Sequence, residues 1–106
     1  MQIIIEGAGE VGSHLAKMLS GEANEITVID KSRERLDSLV ANTDVVTVEG
    51  NPSSLKVLHE AGASSADLFI AVNPSESQDV NIVSAMLAKK LGSKKATARI
   101  NTEEYL

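Results

Sequence analysis

Gly7-Ala8-Gly9-Glu10-Val11-Gly12 is the stretch from which the fold can be read. It has the form G-x-G-x-x-G, and its setting carries more weight than the match. The apolar run Ile3-Ile4-Ile5 leads into it, and a helical spacing of apolar residues (Val11, Leu15, Met18, Leu19) leads out. A strand, a glycine turn and a helix in that order are what a dinucleotide-binding turn requires. Gly7 is expected to make the tight turn, Gly9 to let backbone approach a pyrophosphate, and Gly12 to bring helix and strand close. The free N–H groups and the dipole at the helix start favour a phosphate.

A second element supports this reading. The apolar run Ile26-Thr27-Val28-Ile29 ends in Asp30. An acid at the end of the second strand, about 20 residues beyond the glycines, suits the hydroxyl pair of a ribose and repels a 2′-phosphate, favouring NAD over NADP. The other reading of Asp30 is a cap on the following helix.

Working outward, strands alternate with helices. Gln2–Glu6 reads as the first strand, Val11–Ser20 as a helix and Glu25–Ile29 as the second strand. Ser32 caps a helix with Leu36, Leu39 and Val40 on one face, and Val45–Val48 follows as a strand. Ser53 or Ser54 opens a short helix through Leu55, Leu58 and Ala61 that stops at Gly62. Leu68–Val72 is the fourth strand. A long helix then places Val83, Met86, Leu87 and Leu91 on one side, and Ala96–Ile100 is the fifth strand. Asn101–Glu104 reads as the cap and first turn of a further helix.

This alternation predicts an α/β fold, a doubly wound parallel sheet of order 3-2-1-4-5 in three α/β/α layers. Ligands in such sheets sit beyond the strand ends where the order reverses. That rule selects Gly7–Gly12, Asp30–Lys31 and Asn73-Pro74-Ser75, with Gly50-Asn51 at the rim near the adenosine half.

Composition bounds the function. The chain has 106 residues, enough for one domain, with 42% hydrophobic residues and only Phe69 and Tyr105 as aromatics. The core is therefore aliphatic. There are no cysteines, which excludes disulfides and thiolate metal sites. A net charge of −5 gives no support for a nucleic-acid surface. No apolar run approaches the length of a membrane span, and the N-terminus lacks the pattern of a signal peptide. A cytoplasmic domain without direct membrane insertion is expected.

No catalytic constellation emerges. His14 and His59 lie among polar residues and lack a partnering metal-ligand motif. Glu76 and Asp79 suit the dipole at the start of the long helix, as Lys89-Lys90 and Lys94-Lys95 suit its end. Arg99 stands in an otherwise small and apolar strand, where a charge needs a partner. A phosphate, a carboxylate across an interface and an exposed edge position all remain open for it. A cofactor-binding unit without a catalytic group is either part of a dehydrogenase or epimerase with its substrate domain elsewhere, or a sensor whose output is binding. A ligand-free interaction module is a third reading, opposed by the intact glycines and Asp30.

Ile3–Gly12, Thr27–Asp30, Val48-Glu49-Gly50-Asn51, Leu68–Val72 and Ala98-Arg99-Ile100, in this order, resemble the TrkA-type regulatory subunits of bacterial potassium uptake. Their N-terminal domain is called KTN or RCK. Ser77-Gln78-Asp79-Val80-Asn81 and Ala61-Gly62-Ala63 before Ala66-Asp67 fit the same family. The resemblance covers nearly the whole chain. It implies a non-catalytic cytosolic gatekeeper, peripheral at the inner membrane face, in which NAD(H) or ATP/ADP changes the arrangement of subunits. The partner implied is a TrkH-type membrane potassium transporter, and the assembly a homodimer or a ring.

Carried over residue by residue, Gly7, Ala8, Gly9, Glu10 and Val11 lie at the pyrophosphate and Asp30 at the adenosine ribose. Asn73 and Pro74 lie beside the nucleotide, and Arg99 at the phosphates or a neighbouring subunit. The chain departs from the family pattern at three positions. Glu10 replaces an Arg frequent in ATP-responsive relatives, which tilts the expectation toward NAD(H). Glu6 replaces an apolar residue, and Asn51 stands where Asp is frequent. Leu106 falls before the last helix and strand usual in this domain, so residues 1–106 are expected to be a fragment of one.

Overall fold

A computed structural model describes residues 1–21, 23–74 and 78–100. In chain order the elements are β1 (Gln2–Glu6), α1 (Glu10–Leu19), β2 (Glu25–Asp30), α2 (Arg33–Val40), β3 (Val46–Glu49), α3 (Leu55–Glu60), β4 (Leu68–Ala71), α4 (Gln78–Leu91) and β5 (Lys95–Ala98). The expected turn at 101–104 and the candidate Ser75, with Glu76 and Ser77, lie outside the described residues.

The five strands form one sheet in the order β3-β2-β1-β4-β5, as the alternation predicts. All pairings are parallel. The register brings Glu6 beside Ile29 on one side and Ala71 on the other, so β1, β2 and β4 end level with one another. That shared edge is where the site is built.

Alternate side chains of each strand go to opposite faces. Ile3, Ile5, Ile26 and Val28 pack with Ala16, Leu36 and Leu39 in the layer of α1 and α2. Ile4, Ile29, Phe69 and Ala71 pack with Leu58, Ala85 and Ala88 in the layer of α3 and α4. The β-branched run of β1 follows from this burial on both faces.

Helix starts agree with their caps: Ser32 Oγ accepts from Arg35 N at 3.2 Å, and Ser54 Oγ from Val57 N at 3.4 Å. The inward faces differ from expectation in three helices. In α1, Gly12 and Ala16 are buried while Met18 is exposed. In α2, Val40 is exposed beside buried Leu36 and Leu39. The largest difference is in α4, where Leu87 and Leu91 of the expected face pack against the core but Val83 and Met86 point outward, and the buried positions are Gln78, Asn81, Ser84, Ala85 and Ala88. Small residues let this helix approach the sheet closely, and its polar ones meet polar groups beneath it.

Candidate functional site

The glycine turn is shaped by contacts that no larger residue at Gly7 or Gly12 would allow. Gly7 adopts φ 119°, and a Cβ on it would lie 3.0 Å from Asn73 N. A Cβ on Gly12 would come within 1.7 Å of the Gly7 carbonyl oxygen. Gly12 thus permits α1 to start directly against the turn. Gly9 differs: the nearest atoms to a Cβ there are Arg35 Nη1 and Pro74 Cγ, both at 3.9 Å. A Cβ there would make only ordinary van der Waals contacts, so Gly9 relieves no clash behind the turn.

Gly9 is also the N-cap of α1 and offers no side-chain acceptor to the first helical N–H groups. Helix-start donors left without a side-chain acceptor suit an anion. Behind them the turn is tied down: Gly7 N donates to Ile29 O at 2.8 Å, and Ser13 Oγ donates to Ala8 O at 3.0 Å.

Asp30 holds the second wall. Its Oδ2 accepts from Ala8 N at 2.7 Å and its Oδ1 from Ser32 N at 2.8 Å. The carboxylate therefore links the glycine turn to the start of α2, with lone pairs left for hydroxyl donors. A cleft of about 300 Å³ opens here, lined by Asp30, Lys31, Ser32, Arg35, Pro52, Asn73, Pro74 and Val80. The volume is at the small end of the usual range for ligand sites.

The structure brings Asp30, Lys31, Asn73 and Pro74 together in the cleft, with Gly9 facing Arg35 and Pro74 at its edge. Glu10 and Val11 are exposed in the first turn of α1, while Ala8 and Gly12 are buried beneath it. Asn51 is exposed, with Oδ1 accepting from Ser53 N at 2.9 Å; its neighbour Pro52 is the residue that lines the cleft. Arg99 lies one residue past β5, is exposed, and is not among the lining residues. Its backbone continues the sheet by one bond, with Arg99 N donating to Ala71 O at 2.8 Å.

Arg35 and Val80 are cleft residues that the sequence reading did not single out. Arg35 had a signal: it stands one turn along α2 from the Ser32 cap, on the side that faces the turn. Val80 gives no such sign, because it reaches the cleft only through the docking of α4.

Beneath the cleft lies a buried polar cluster. Asn73 N donates to Asn81 Oδ1 at 2.8 Å, and Asn81 Nδ2 donates to Asn73 O at 3.2 Å and Arg99 O at 2.9 Å. Asn73 Nδ2 donates to Glu6 Oε2, and Ser84 Oγ donates to Glu6 Oε1 at 2.8 Å. Burial pushes the Glu6 carboxyl up to about 7; the Ser84 hydrogen bond opposes the rise and the Asp30 charge adds to it.

His14 and His59 are exposed. Among the described residues no group of three His, Cys, Asp or Glu is placed to hold a metal ion. No helix among them is long and apolar enough to cross a membrane.

A parallel sheet with an open helix N-terminus at its switch point and an acid closing the second strand defines a nucleotide-binding domain of Rossmann type. The chain belongs to the TrkA-N domain family, whose model matches residues 3–106. It is 41% identical over 106 residues to a Trk system potassium uptake protein TrkA homolog of Archaeoglobus fulgidus. It is 43% identical over 107 residues to Trk system potassium uptake protein TrkA of Haemophilus influenzae. Each alignment covers 100% of this chain and 23% of the relative, so the chain spans about a quarter of their length. The fold is also that of the TrkA-N domain of the inner membrane protein ybaL from Escherichia coli. There the TM-score is 0.64 at 18% identity, over 98% of this chain and 90% of that one.

Proposed function

We propose that this domain is the NAD(H)-binding sensor of a Trk-type potassium uptake system, a cytosolic regulatory unit that performs no catalysis. The observation that carries the reading is the Asp30 carboxylate, fixed by Ala8 N and Ser32 N at the mouth of a cleft beside an open helix start. Asp30 would take the adenosine ribose hydroxyls, and the N–H groups of Gly7–Gly12 the pyrophosphate. Lys31, Asn73 and Pro74 would line the nucleotide, and Asn51 would stand at its rim. The missing side chain of Gly9 fits close approach of a phosphate. Glu10 beside it disfavours the terminal phosphates of ATP, which favours NAD(H) over ATP or ADP.

The output would be subunit geometry. A nucleotide shifts an assembly only by its differential affinity for two arrangements. The names of the relatives support a place in a potassium uptake system; the partner would be a membrane potassium transporter of TrkH type, met at the inner face of the membrane. The exposed apolar residues Val83 and Met86 of α4 support pairing into a dimer or ring. Arg99, exposed beside the Asn81 cluster, is available to phosphates or to a neighbouring subunit.

Calorimetric titration with NADH, NAD⁺, ATP and ADP tests this reading. Preferential NADH or NAD⁺ binding, with no turnover of added alcohols or hydroxy acids, is expected. A preference for ATP over ADP would overturn the cofactor assignment, and silence from all four would overturn the sensor reading.

A further inference from the structure

Glu6 is fully buried at the end of β1, one residue before the glycine turn. The pleat puts it on the same face as Ile4, where it meets Ser84 of α4 and is out of water. Its hydrogen-bond partners are neutral: Ser84 Oγ from α4 and Asn73 Nδ2 from the segment after β4. Its strand neighbours are Ile29 and Ala71, both apolar. The charge that acts on it among the described residues is that of Asp30 on β2, of the same sign. A buried acid without a cation is costly when ionised.

We propose that Glu6 is a positioning residue of the nucleotide cleft and that nucleotide binding takes up a proton at its carboxyl. The proposal rests on the nucleotide reading above and adds a regulatory input to it. Three observations carry it. First, Glu6 reaches the cleft from beneath, since it holds the side chain of Asn73 and precedes Gly7, which packs on the Asn73 backbone. Second, the cluster accommodates both protonation states without moving heavy atoms. Ser84 Oγ lies 2.8 Å from Glu6 Oε1 and 3.2 Å from Asn81 O. The hydroxyl donates to an ionised Glu6; when Glu6 is protonated, its O–H donates to Ser84, which turns its own hydrogen to Asn81 O. Asn73 Nδ2 finds an acceptor in either state. Third, an anionic nucleotide at the turn would add negative charge beside Glu6 and Asp30, which favours the neutral carboxyl further. The raised value of about 7 puts this exchange within reach of ordinary pH.

Linkage sets the sign. If the bound form holds its proton more tightly, affinity falls as pH rises through the free form's titration. A one-unit rise on binding corresponds to a loss of about sevenfold in affinity between pH 6 and 8.5. NADH is the probe, because its pyrophosphate does not titrate in this range, whereas a terminal phosphate does.

The experiment is NADH titration at several pH values for the native chain and Glu6→Gln. Glu6→Gln is expected to lose the part of the pH dependence that Glu6 supplies, so that its affinity changes less than the native chain's between pH 6 and 8.5. Any contribution of His14 or His59 persists in that variant. Carbon-13 NMR of the Glu6 carboxyl in the native chain, free and saturated with NADH, needs no variant to fold. Its midpoint should rise on saturation. NADH binding with the same pH slope in Glu6→Gln, or an unmoved midpoint, overturns this proposal alone. No NADH binding at any pH overturns it together with the NAD(H) reading.

Discussion

Two buried acids end neighbouring strands of this sheet, and they are held in different ways. Asp30 at the end of β2 is 6% exposed and accepts from two backbone N–H groups, Ala8 and Ser32. Glu6 at the end of β1 is 0% exposed and accepts from two side chains, Asn73 and Ser84. Backbone donors arrive with the turn and the helix start, so any chain with this fold presents them to an acid at position 30. Side-chain donors must be supplied by particular residues far along the chain. Asp30 is thus held by the backbone of the turn and helix start, while Glu6 depends on particular side chains for its support.

The severest way to break the comparison is to remove what both acids lean on. Gly12→Ala drives a methyl group into the Gly7 carbonyl, and the turn between Glu6 and Asp30 must move. A loss of about 3 kcal/mol or more in urea-unfolding stability is expected.

Next comes the pH dependence of stability. Glu6 rises from 4.5 to about 7 on folding, so the native state binds more protons than the unfolded one between those values. Stability should therefore be highest at or below the lower value, fall as pH rises through about 7, and then level off. The total attributable to Glu6 is roughly 3 kcal/mol. Glu6→Gln should flatten that decline in unfolding experiments at matched pH, whereas the Asp30→Asn variant should retain it.

Asp30→Ala leaves the buried Ala8 N–H without its acceptor, at a cost of about 1–3 kcal/mol. NADH affinity should fall more than tenfold, and unchanged affinity would remove Asp30 from the ribose. The smallest effect on stability is expected for Gly9→Ala. Its methyl group would meet Arg35 and Pro74 at ordinary contact distance, so the change should stay within roughly 1 kcal/mol, while NADH binding is lost because the methyl occupies the approach to the turn.

Several parts of this molecule can be read in order from the chain. The alternation of elements leads to the sheet order, and the glycine spacing with Asp30 leads to the turn and its acid. Asn73-Pro74 follows from the rule that ligands sit where the strand order reverses. The inward face of α4 can be read only in part, because Leu87 and Leu91 pack against the core while Val83 and Met86 are on the outside. The helix instead buries Asn81 and Ser84, whose spacing matches a helical face but whose polarity argues against a core. They are buried because Glu6 and the backbone of Asn73 need donors and acceptors there. Local consistency tends to fail where a site is built, and it does so here.

Periodicity and turn chemistry act between residues a few positions apart, so they are written in the chain: the β1–turn–α1 unit, the Ser32 and Ser54 caps, and the order of the strands. The partnership of Glu6 with Asn73 and Ser84 is of another kind. It joins residues 67 and 78 positions apart, through hydrogen bonds that form only when α4 docks on the sheet. Arg35 and Val80 likewise meet across the cleft only once α2 and α4 are packed on opposite faces. Which polar group satisfies which is a matter of burial, and burial exists only after the layers close.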